Sequence, residues 1–186
     1  MKGMMRMLRT RTTKKVPVSR IAPGKTVLYR EETCIVLEHR EDGTLLMSVE
    51  RVVHQFGSSN NFAGSSLRNH LNSAFLGIIT QGHQDEVITR TVDLTALNGS
   101  KEYGTVECKV APLTLDELRK YHGIIPKPKV WEWSATPWST SNDNGDDAWV
   151  LGVYTSGSID SCSCSNTYGS RPAFLIPSTF EIETEA

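Results

Sequence analysis

Residues 166–177, NTYGSRPAFLIP, decide how this chain closes its fold. A polar turn runs straight into the apolar stretch Ala173–Ile176, and Arg171 and Pro172 stand at the junction. A central strand tolerates a proline only at its start, at an edge or at a bulge, so the junction marks a break between two pieces of structure. The question it poses is whether Arg171 serves chemistry or architecture.

Just upstream, AWVLGVYT and IDSCSC flank Ser156-Gly157-Ser158, the pattern of two strands joined by a hairpin turn. The last third also holds all four tryptophans, Trp131, Trp133, Trp138 and Trp149, separated by long polar loops. An antiparallel sheet with extended loops follows from that texture. Most large aromatics at strand spacing belong to a core, which leaves one or two of the four free to touch a ligand.

Further back, Lys25–Leu28 and Thr33–Glu38 read as short strands, and Asp42-Gly43 turns the chain between apolar runs. QFGSSNNFAG is a loop by composition. Ser65 or Ser66 then caps a helix whose apolar face is Leu67, Leu71, Ala74, Phe75 and Ile78. Strand-like runs occupy 86–92 and 103–110. Pro112 precedes a second helix in which Thr114 and Glu117 make a capping box, Leu115, Leu118 and Tyr121 share a side, and Gly123 ends the run. Both helices are short and amphipathic, so each is expected to lie against a sheet.

With 186 residues and 38% hydrophobic content, the chain suits one domain with a substantial core. Its apolar stretches fall far short of a bilayer span and its first residues lack a continuous apolar region, so a soluble, unsecreted protein without membrane contact is expected. The formal charge of −1 conceals an uneven distribution. Residues 1–30 carry nine basic groups and no acidic one, whereas the remainder holds 11 basic and 21 acidic groups, net −10. A basic arm over residues 1–20, with Arg6, Arg9, Arg11, Lys14, Lys15 and Arg20, thus precedes an acidic body over 21–186. Such an arm suits an acidic protein lattice; nucleic acid is the less expected partner.

Cys34, Cys108, Cys162 and Cys164 do not space as a zinc site, and the alternating pair Cys162/Cys164 fits disulfide geometry poorly, so all four are read as reduced. Neither a phosphate-binding glycine loop, a Gly-x-Ser-x-Gly elbow nor a His-Glu-x-x-His helix is present. TPWSTSNDNGDD instead joins an aromatic to hydrogen-bonding groups, which makes Trp138, Asn142, Asp143, Asn144, Asp146 and Asp147 the candidate ligand-binding set for a sugar or protein surface.

The order SLRNHLNSAFL, APLTLDELRKY, WSATPW, AWVLGVYTSGSI, YGSRPAFLI resembles small bacterial and phage-encoded domains that run from a serine-capped helix to a terminal GVRPA strand. These are similar to the C-type-lectin-like fold shared with formylglycine-generating enzymes and phage tropism determinants. Where that family has WLRSP and GVRPA, this chain has WSATPW and GSRPA. The resemblance implies an α+β, C-type-lectin-like domain, mainly antiparallel sheet with two short helices, whose end returns as a strand beside its beginning. Arg171 then leaves the Tyr168-Gly169 turn to pair with a carboxylate or carbonyls, and Arg171, Tyr168 and Trp149 are assigned structural roles. The aspartates of 143–147 lie where such folds can hold calcium, but their spacing is not that of a calcium loop, and no metal or cofactor is expected.

The function expected is non-catalytic: a structural or binding component of a phage or phage-like particle, assembled in the bacterial cytoplasm. The basic arm would dock on an acidic capsid or tail lattice in many copies, and the body would face outward toward a possible host glycan. The alternative is a free carbohydrate- or protein-binding module. An oxidase related to formylglycine-generating enzymes, using the late cysteines, comes third.

Overall fold

The computed structural model describes residues 13–144 and 147–185. Five strands open the chain: β1 (Thr13–Pro17), β2 (Thr26–Tyr29), β3 (Glu32–Arg40), β4 (Gly43–Ser48) and β5 (Val52–Gln55). Helix α1 (Ser66–His70) continues through a π-helical turn, Leu71–Phe75, into α2 (Leu76–Thr80). Then come β6 (Arg90–Asp93), β7 (Thr105–Cys108), β8 (Val110–Ala111) and α3 (Leu115–Tyr121). The last third holds β9 (Glu132–Pro137), the single turn α4 (Ser141–Asn144), β10 (Trp149–Val153), β11 (Ile159–Ser163), β12 (Thr167–Ser170), β13 (Ala173–Ile176) and β14 (Glu181–Glu185). The architecture is α+β with mostly antiparallel sheets. Among the described residues no helix is long and apolar enough to cross a membrane.

Two five-stranded sheets dominate, ordered β11-β10-β9-β12-β5 and β2-β3-β4-β13-β8. The segment Asn166–Pro177 belongs to both. Its first half, β12, lies antiparallel to β5 and parallel to β9, and its second half, β13, lies antiparallel to β4 and β8. Arg171 and Pro172 are where the chain leaves one sheet for the other. Proline's missing donor is harmless at that crossing, while its carbonyl accepts from Ser48 N at 2.8 Å. The chain's late strand β14 returns antiparallel to β1 in a separate ribbon, with Thr13 opposite Glu185 and Pro17 opposite Glu181. Lys14 and Lys15 sit in β1 and Arg20 in the 3-10 turn after it, so residues 13–20 join the folded body, with Val18 fully buried. Arg6, Arg9 and Arg11 lie outside the described residues.

The central strands of the second sheet, β3, β4 and β13, are buried on both faces, and their two-residue period shows how. Cys34, Val36, Leu46, Phe174 and Ile176 point into a large core shared with Phe56, Phe62, Leu67 and Leu71. Their neighbours Ile35, Leu37, Leu45, Met47 and Leu175 point the other way, into a smaller core with Leu113 and Tyr121. The sheet's near-continuous apolar runs follow from having a helix-bearing layer on each side.

The first helix corrects the expected apolar face. Ser65 caps it by accepting from Arg68 N at 3.0 Å, and Leu67 and Leu71 are buried as expected. Ala74 is exposed, however, and Ile78 is 73% exposed, while Phe75 and Ile79 take the core positions. The π turn widens the helix, so the buried spacing stays at four residues (67, 71, 75, 79) where an α-helix would have stepped back to 74 and 78. Asn72 occupies that turn. Its Nδ2 donates to the carbonyls of Arg68 and Val110, and its Oδ1 accepts from the amides of Lys109 and Val110, which fastens the helix to β8.

Candidate functional site

A cleft of about 880 Å³ opens between α3 and the β10–β11 hairpin. Leu115, Leu118 and Arg119 of α3 line one side, continued by His122, Ile125, Pro126, Lys127 and Pro128. Ser156, Gly157, Ile159 and Asp160 of the hairpin line the other, and Leu151, Val153 and Arg171 lie between them. Trp138 and Leu97 complete the lining. Its character is apolar, with cations outnumbering carboxylates.

Local chemistry sets each side. The hairpin closes through Tyr154 and Ser158, with Gly157 at φ 89°, a left-handed conformation that glycine adopts without strain. A Cβ on Gly157 would stand 3.5 Å from Lys127 Cε, which shows how closely the Lys127 stem approaches the hairpin. Helix α3 starts at the expected capping box: Glu117 N donates to Thr114 Oγ1, and Thr114 N to Glu117 Oε2. Glu117 also receives Arg90 Nη1 at 2.6 Å. The helix end is held by Tyr121, whose hydroxyl donates to Glu38 at 2.6 Å and accepts from Arg40 Nη2 at 3.0 Å. Burial pushes the Glu38 carboxyl up, but hydrogen bonds from Lys120, Tyr121 and Arg40 outweigh it and hold the group at about 2.

Behind Arg171 lies a buried ion pair. Its Nε donates to Glu132 Oε2 at 2.6 Å, and the two side chains are 8% and 6% exposed. Burial pushes the Glu132 carboxyl up, while Arg171 pulls it back. An aromatic cluster adjoins the pair: Trp131 meets Trp133 and Tyr154 edge-on and packs against Tyr168. The Trp131 indole lies against the backbone of Gly152, where a Cβ would stand 2.5 Å from Cε2. Trp131 and Trp133 are thus core residues, whereas Trp138 is 43% and Trp149 41% exposed. The ring of Trp149, assigned above to structure, is half in solvent, and it is its backbone carbonyl that is used, accepting from Trp138 N and Asn60 Nδ2. Tyr168 packs in the aromatic cluster and meets Cys162 Sγ at 3.4 Å.

Of the loop residues proposed to bind, Trp138 is the one among the described residues that lines the cleft. Asn142 uses its backbone amide to bind Glu102, and Asp147 uses its carbonyl to accept from Asn60 N at 2.6 Å. Asp146 and the side chains of Asp143 and Asn144 lie outside the described residues. Asn60 was missed in the sequence. Fully buried, it donates to Ser139 O and Trp149 O and accepts from the Tyr103 hydroxyl, so it ties the polar loop to the body from 79 residues away. Nothing local in QFGSSNNFAG distinguishes Asn60 from Asn61, which merely caps a turn. The four cysteines are free thiols; Cys164 is buried in the core and burial pushes its thiol up, as it does for Cys34 and Cys108. Among the described residues no three His, Cys, Asp or Glu side chains group as metal ligands.

Fold and cleft together define an α+β domain of largely antiparallel sheets that carries an open, apolar, mildly cationic cleft. The chain belongs to the family described as a domain of unknown function, DUF6273, whose pattern matches residues 24–178. No curated protein and no solved structure matches it.

Proposed function

We propose that the chain is a non-catalytic binding protein whose C-type-lectin-like body offers the cleft beside α3 to a ligand, and that it works on the surface of a phage or phage-like particle. The observation that carries the reading is the cleft itself: about 880 Å³, apolar, open, with Trp138 on its lining. That volume falls in the range of small-molecule and peptide sites, and an exposed tryptophan supplies contact area at low entropic cost. A binding role also suits the cysteines, since Cys164 is packed in the core and Cys162 is engaged by Tyr168 and Asn166. The particle setting is supported by the charge division, nine cations within residues 1–30 ahead of an acidic remainder, which suits docking on an acidic lattice.

Two experiments test this. Peptide and glycan arrays probed with the wild-type protein and with Trp138→Ala should show binding that the variant loses while its unfolding midpoint is unchanged. Binding indifferent to Trp138→Ala, or none at all, refutes the cleft. Mass spectrometry of gradient-purified particles from the producing strain should find the chain, released by salt; its absence there with array binding intact leaves a free binding module.

A further inference from the structure

We propose, building on the reading of the cleft as a ligand site, that its ligand is an apolar molecule ending in a carboxylate and that Arg171 receives that carboxylate. A guanidinium carries five N–H donors. Glu132 takes the one on Nε, and among the described residues Arg171 makes no other hydrogen bond. Yet the side chain is only 8% exposed and lines the cleft. The terminal nitrogens, with their four N–H bonds, therefore have no protein partner among the described residues, and the cleft that Arg171 helps to line also carries Leu118, Ile125, Val153 and Ile159. A planar fork of donors on the lining of a cleft matches a carboxylate by two parallel bonds.

Charge around the cleft agrees. Glu132 already balances Arg171, so a second carboxylate needs further positive charge nearby. Lys127 and Arg119 stand on the lining, where the one carboxylate among the described residues is that of Asp160, which accepts from Ser161 N; Arg119 is itself paired with Asp116 at 2.8 Å, so Lys127 supplies the surplus charge. A neutral sugar would find few free hydroxyl partners, since the Ser156 hydroxyl is bonded to that of Ser158 at 2.8 Å. Apolar body and carboxylate head together describe two sources, the C-terminus of an apolar peptide or an aliphatic acid.

The test compares acids with their neutral counterparts, read by tryptophan fluorescence. One arm uses N-acetylated tetrapeptides ending in two leucine, isoleucine, valine or phenylalanine residues, made as free acids and as amides; the other uses decanoate and decanol. In at least one arm the acid should bind tenfold or more tightly than its neutral partner, and the arm that responds names the source. R171K should reduce that preference below threefold. Because R171K removes the Nε donor to Glu132, E132L/R171M, which carries no buried charge, serves as a second folded variant and should show no preference. Acid and neutral forms binding alike, with both lost in Trp138→Ala, would overturn the carboxylate assignment and leave the cleft reading standing; no binding in either arm overturns the assignment and speaks against the cleft as well.

Discussion

Removing Glu132 should expose how the two main sheets are locked together. In Glu132→Ala the Arg171 guanidinium keeps its place at 8% exposure without its carboxylate. Breaking a buried pair from one side costs about 3–5 kcal/mol. Arg171 lines an open cleft, so water can reach its terminal nitrogens, and the lower end, about 3 kcal/mol, applies. With a urea dependence of roughly 2 kcal/mol per molar, the unfolding midpoint should fall by about 1.5 M at unchanged slope. The double replacement E132L/R171M behaves differently. Burial raises the Glu132 carboxyl despite Arg171, which means that desolvation outweighs the attraction, so two apolar side chains of similar volume should bring stability back to within about 1 kcal/mol of wild type. Equilibrium unfolding followed by the fluorescence of the buried Trp131 and Trp133 measures all three proteins. A midpoint shift below about 0.5 M for Glu132→Ala, or a double variant no more stable than Glu132→Ala, would refute the reasoning.

Two further outcomes follow from the same geometry. Gly152→Ala drives a methyl into the Trp131 indole at 2.5 Å and should destabilise by about 1–3 kcal/mol, with an altered near-ultraviolet tryptophan signal; an unchanged thermal midpoint would show that the indole moves freely. Glu38, held at about 2 against its ordinary 4.5, contributes stability that is present above pH 4.5 and lost as the pH falls toward 2. The pKa difference sets an upper limit of about 3 kcal/mol, lowered by partial exposure, and Glu38→Gln should flatten this acid limb of the stability profile.

What could be read in the sequence was what short range decides. The Thr114/Glu117 box and the Ser156–Ser158 turn are local hydrogen-bond problems, and both appear where expected. The first helix was placed correctly at its cap but rotated at its end, because the π turn has no marker in the sequence pattern. Arg171 could be expected to seek a carboxylate, yet nothing along the chain singles out Glu132, 39 residues earlier. The cleft was invisible for a similar reason. Its apolar residues come from α3, the 125–128 segment, β10 and the hairpin, and each in its own neighbourhood reads as an ordinary core position. The polar loop drew attention through composition, while the residue that holds it, Asn60, lies in a stretch that composition marks only as loop.

The β1–β14 ribbon sets how force would enter the domain. Thr13 and Glu185 face each other at the same end of an antiparallel pair, so a pull applied through both would open the ribbon rung by rung, like a zipper. Shear across all its rungs at once would require pulling along the strands from opposite ends. A partner gripping only the segment ahead of Thr13 would load β1 against β14 and, through Val18 and Ile182, the main core. The domain would then be mechanically soft to tension carried through both strands at the Thr13–Glu185 end of the ribbon.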